Sequence, residues 1–157
     1  ATALQTSAIN VLLREISSTK LTLLEQLKQV NRRAAKYFTD GSFAAILGFE
    51  MDLSKRELRY VAAGITQFYA KGVKVETPGM FVGLWDDAEF EQGVIPVSTG
   101  DSFCFLTDGF TDCLVCKERG GPVLDGEFDM VVDSLEKMMK SGDLRDDATG
   151  ICLQLKN

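Results

Sequence analysis

Asp108 is the residue whose neighbours best suit it to chemistry. It follows the run Ser102-Phe103-Cys104-Phe105-Leu106-Thr107, whose four successive apolar residues predict a short strand buried on both faces. Gly109 comes next, and glycine lets the chain turn sharply away, so the carboxylate would stand rigidly at the mouth of the strand. The same Asp-Gly pair serves equally as a plain turn after a core strand. An acidic pair, Asp146-Asp147, precedes the alternating residues Thr149, Ile151, Leu153 and Leu155, which predict the last strand. If the two strands are antiparallel neighbours, the end of one and the start of the other share a sheet edge. Carboxylates gathered there repel one another unless a cation lies between them, and an oxygen-only set suits Mg2+ or Mn2+. Such an ion acidifies bound water and polarises a phosphoryl oxygen, which is hydrolytic chemistry. The alternative is that Asp108, Asp146 and Asp147 are solvated turn residues.

Composition narrows the field. The chain of 157 residues is 45% hydrophobic and 25% charged, as expected of one globular domain spanning 1–157. Seventeen basic against 23 acidic residues give a net charge of −6, with no basic stripe, which argues against a nucleic-acid partner. No apolar run approaches the ~20 residues that cross a bilayer, so no membrane role is expected. Histidine is absent, which removes Ser-His-Asp and Cys-His catalysis and His-ligated zinc from this chain. Cys104 and Cys152 fall in apolar runs and read as core residues of a reduced, cytoplasmic protein. Cys113 and Cys116 form a lone CxxC, which cannot complete a tetrahedral zinc site; two half-buried structural thiols fit it better than a redox motif.

The elements that must position these acids follow from periodicity. Ile9, Leu12, Leu13 and Ile16 mark an amphipathic helix over 2–17. The chain opens at Ala1, without Met, directly in this pattern, as a piece of something longer would. Thr22 with Glu25 reads as a capping box for a second helix that would run past Phe38 to Asp40-Gly41. The period then shortens to two: strands around 44–51, 58–62, 68–75 (a tight hairpin), 90–97, 102–106 and 149–155. A mixed region is expected from Asp108 to Gly126, followed by a helix with Phe128, Val131, Val132, Leu135 and Met138 inward. Helices segregated from hairpin strands predict an α+β fold with antiparallel sheets.

In that frame the segment Leu106-Thr107-Asp108-Gly109-Phe110-Thr111-Asp112 resembles the TDGxTE motif of the PPM metal-dependent serine/threonine phosphatases, in their bacterial SpoIIE/RsbU branch. Asp146-Asp147-Ala148-Thr149 is similar to the closing DDxT motif, and Leu58 to Gly64 to the LxYxNAG strand. Gly83-Leu84-Trp85 and Thr99-Gly100-Asp101 fall where the family has LGL and PGD, so the resemblance covers essentially the whole chain in order. It implies a four-layer α/β/β/α sandwich binding two or more Mn2+ or Mg2+ ions, with a metal-activated water attacking phosphoserine or phosphothreonine. It carries Asp108 and Asp146 over as metal ligands, with Asp147 in the outer coordination, and identifies no catalytic residue beyond these. The partner it implies is a phosphorylated anti-sigma-factor antagonist or similar STAS-type protein, in stress or sporulation signalling.

Two departures temper the expectation. The family's NAGH segment reads Ala62-Ala63-Gly64-Ile65 here, without its Asn and His. The family's GDxxGHG motif, which bridges both metals, would lie before Ala1. The expectation is therefore a phosphatase in the parent protein and an N-terminally truncated, inactive piece in this chain. The alternative is a degenerate, non-catalytic regulatory or interaction domain. Missing core strands would also expose sheet edges that a second copy of the chain could pair, giving a homodimer.

Overall fold

The computed structural model describes residues 2–38, 41–115, 124–142, 144 and 146–156. They fall into two compact units, 1–66 with 77–97 and 67–76 with 98–157.

The first unit sets two helices against an antiparallel sheet. Helix α1 spans Thr2–Ser17 and α2 spans Leu23–Ala34. As expected, α2 opens on a capping box: the Glu25 N–H donates to the Thr22 hydroxyl and the Thr22 N–H returns to the Glu25 carboxylate. It ends at Ala34 rather than running on past Phe38, as the Lys36 and Tyr37 N–H groups donate three residues back, to the Arg33 and Ala34 carbonyls at 3.3 and 2.8 Å, and tighten the last turn. Strands β1 (Ile46–Asp52), β2 (Glu57–Ala63) and β5 (Gln92–Pro96) form a sheet in the order β1-β2-β5, antiparallel throughout. Leu12 and Ile16 of α1, Leu27, Val30 and Ala34 of α2, and Val61 and Ala63 of β2 make one buried core with Val82 and Phe90.

The turn from β1 to β2 is held by Asp52. Its carboxylate accepts from the Ser54 hydroxyl at 2.6 Å, and from the Ser54 and Lys55 N–H groups at 3.1 and 3.0 Å. The hydroxyl bond first, and then the Lys55 amide, lower its pKa to about 2. A folded pKa below the unfolded value of about 3.9 adds stability that is complete above that pH and lost on descent towards 2. Acid titration of the folded chain should therefore show a destabilising limb between about pH 4 and 2 that is shallower in Asp52→Asn; identical limbs would contradict this.

The second unit holds the candidate acids. Strands β3 (Gln67–Ala70), β4 (Val73–Glu76), β6 (Ser102–Leu106) and β7 (Gly150–Gln154) form an antiparallel sheet in the order β4-β3-β6-β7. Phe103 to Leu106 are all buried, so β6 is covered on both faces as its composition predicts. The region after Asp108 is not mixed at its start: helix α3 spans Asp108–Val115, and α4 spans Phe128–Ser141. Phe110, Val131 and Leu135 from these helices pack on Cys104 and Leu106. An α+β fold with antiparallel sheets is thus what the chain adopts. Among the described residues no helix is long and apolar enough to cross a membrane.

Candidate metal centre

Strand β6 delivers Asp108 and strand β7 follows Asp146-Asp147. The two are adjacent and antiparallel, with Leu106 opposite Gly150 and Phe103 opposite Leu153. The sheet edge inferred from the sequence therefore exists. Two contacts close it. Thr107 clasps Thr149 twice: its N–H donates to the Thr149 carbonyl at 3.0 Å, and its hydroxyl oxygen accepts from the Thr149 N–H at 2.9 Å. Gly109 meets the other side of the loop, where a β-carbon would lie 2.5 Å from the Asp147 carbonyl oxygen and 3.0 Å from the Ala148 β-carbon. Only glycine lets the backbones approach this closely.

Gly109 has a different task from the one its place after Asp108 suggests. It does not turn the chain away from the strand; it lies in the first turn of α3, buried, and lets that turn sit against Asp147. The Thr107 carbonyl accepts the Phe110 and Thr111 N–H groups at 3.0 and 3.2 Å, which starts the helix. Thr107 and Thr149 are not among the candidate residues of the sequence. The available signal was a threonine immediately before an acid, with Phe110 and Cys113 following at helical spacing, which is a helix start.

All three candidate acids are solvent-exposed. Asp108 Oδ1 accepts from the N–H of Gly109 at 3.0 Å, and Asp146 Oδ1 from the N–H of Asp147 at 2.8 Å. Each of these carboxylates is thus oriented by its own backbone, and among the described residues none of the three forms an ion pair. The donor set is oxygen only, exposed and anionic, which fits part of the shell of a hard, partly hydrated cation. It is not a whole site: among the described residues no three Asp, Glu or Cys side chains group closely enough to hold an ion. Cys116, Asp143 and Arg145 lie outside the described residues, and with Cys116 the CxxC reading. The segment Leu58 to Gly64 forms β2 and the residue after it, in the first unit, where Ala62 and Ala63 are buried.

No curated protein sequence matches the chain. Solved structures do. The PP2C phosphatase domain of SpoIIE from Bacillus subtilis, with a fragment of its regulatory domain, superposes with a TM-score of 0.73 at 18% identity, over 95% of this chain and 50% of that one. The RsbU and RsbW domains of a Mycobacterium tuberculosis protein give 0.73 at 23% identity, over 98% of this chain and 48% of that one. RsbX in complex with magnesium gives 0.66 at 19% identity, over 97% and 73%. The chain thus spans about half the length of the first two and shares the phosphatase fold of all three. Residues 1–156 match the family model described as Stage II sporulation protein E (SpoIIE), and the chain belongs to that family of PP2C-type phosphatase-fold domains.

Proposed function

We propose that this domain serves a metal-dependent protein phosphatase that hydrolyses phosphoserine or phosphothreonine on a cytoplasmic signalling partner. A phosphorylated anti-sigma-factor antagonist or similar STAS-type protein suits the role, in stress or sporulation signalling. The observation that supports it most is the double clasp of Thr107 on Thr149 and the close approach of Gly109 to Asp147, which hold the start of α3 against the backbone of the loop that carries the acidic pair Asp146-Asp147. Asp108 and Asp146 would hold Mn2+ or Mg2+, with Asp147 in the outer coordination. The metal, when bound, supplies an acidified water and a polarised phosphoryl oxygen. The chain's own residues orient the carboxylates, through the Gly109 and Asp147 amides, and keep them at the edge.

Because no three acids group among the described residues, the isolated chain should bind Mn2+ weakly and turn over no phosphopeptide. Calorimetric titration with Mn2+ should show weak binding that falls about tenfold or more in Asp108→Asn. Equal binding by the two would remove the metal assignment, and robust Mn2+-dependent turnover by the chain alone would refute its inactivity. The same incomplete grouping, with Ala62 and Ile65 in place of the family's Asn and His, favours a second reading: a non-catalytic phosphatase-fold interaction domain. In a longer protein carrying this domain, Asp108→Asn abolishes phosphatase activity under the first reading and leaves partner binding unchanged under the second.

A further inference from the structure

Cys104 of β6 and Cys152 of β7 are directly opposite each other in the antiparallel ladder, and both are reduced. The ladder's hydrogen bonds show which kind of pair they make. The Thr107 N–H donates to the Thr149 carbonyl, and the Leu155 N–H to the Asp101 carbonyl, so 107/149 and 101/155 are hydrogen-bonded pairs. Such pairs alternate along an antiparallel ladder, which makes 104/152 a non-hydrogen-bonded pair. There the α-carbons are ~4.5 Å apart and the side chains closest, inside the range of ~4.4–6.8 Å that a disulfide spans.

We propose that Cys104 and Cys152 form a two-electron redox site that a hydroperoxide converts to a cross-strand disulfide between β6 and β7. This holds whether or not the domain is a phosphatase. The two sulfurs have different roles. Cys104 is 4% exposed, while Cys152 is half-buried and gives an oxidant its approach. The facing Cys104 thiol lowers Cys152, against its partial burial, whereas the facing Cys152 and burial together raise Cys104. Cys152 is therefore the attacking thiolate and Cys104 the resolving thiol. The Cys152 sulfur attacks a peroxide oxygen: an S–O bond forms, the O–O bond breaks, and the departing oxygen leaves as water or alcohol after taking a proton. Cys104 then attacks the sulfenic sulfur: an S–S bond forms, the S–O bond breaks, and hydroxide leaves as water with the Cys104 proton. The thiols lose two electrons and the peroxide gains them. A half-buried bridge of this kind is readily reduced again by dithiols.

The test treats the folded chain with hydrogen peroxide, blocks remaining thiols with an alkylating reagent, and maps the peptides by mass spectrometry. Two of the chain's four cysteines should become unavailable. A linked Cys104–Cys152 peptide should appear, two hydrogens lighter, and dithiothreitol should restore both thiols. A variant with Cys113→Ser and Cys116→Ser should behave identically, and Cys152→Ser should form no such linked peptide. Sulfinic or sulfonic acid at Cys152 without the linked peptide, or a bridge that always includes Cys113 or Cys116, would overturn the proposal.

Discussion

Gly109→Ala should destabilise the second unit by about 2–3 kcal/mol, a large share of a typical domain's stability. The added methyl would meet backbone, the Asp147 carbonyl oxygen at 2.5 Å and its carbon at 2.9 Å, rather than the yielding end of a flexible side chain. Relief requires α3 and the Asp146-Asp147 loop to move apart, which strains the Thr107–Thr149 clasp. Denaturant unfolding measures the loss, and amide exchange at Thr149 locates it, since that N–H should lose protection first. Gly142→Ala is the matched control. Gly142 caps α4 at φ +74° with nothing within 4 Å of a would-be β-carbon, so its cost is conformational only, about 1 kcal/mol. Equal costs at 109 and 142 would show that the close approach at Gly109 does not hold the acid-bearing edge together.

Asn31→Leu should cost the first unit about 2–4 kcal/mol. Asn31 is 1% exposed on α2, among apolar neighbours, and is satisfied on both ends. Its Nδ2 donates to the Trp85 carbonyl at 2.7 Å and the Asp86 carbonyl at 3.4 Å, while its Oδ1 accepts from the Gly83 N–H at 2.8 Å. Leucine matches the volume but removes all three bonds, leaving the Gly83 N–H without its Asn31 acceptor and the Trp85 carbonyl with only the Ala88 N–H, so the loss is polar rather than a cavity. The 83–86 loop, held to the helix by these bonds, should loosen with it. Thermal unfolding of Asn31→Leu beside Leu27→Met, a near-isosteric change on the same face costing under about 1.5 kcal/mol, separates the two causes. If the two variants unfold together, Asn31 acts as packing only.

Much of the fold was legible because its signals are local. The helical spacing of Leu24, Leu27, Val30 and Ala34, the Thr22–Glu25 cap, the two-residue periodicity of β1 and β2 and the continuous apolar run of β6 each lie within a few residues of chain. The misreadings came where a local signal had two outcomes. Asp108-Gly109 fits a turn or a helix start, and the choice is made by Thr149 and Asp147, some forty residues away. Asn31 occupies an apolar stripe without revealing that the Gly83–Asp86 backbone is its partner.

By itself the sequence determined the α+β class, the exclusion of histidine chemistry from this chain, and the three acids flanking two strands. Tertiary structure alone decided which strands are neighbours and in what register. That register puts Leu106 opposite Gly150, so that β6 ends and β7 begins at the same sheet edge, and it also puts Cys104 opposite Cys152. The physical reason is that a side chain's propensity is a property of one segment, whereas register is a property of two, set by burial and hydrogen bonding along their whole shared length.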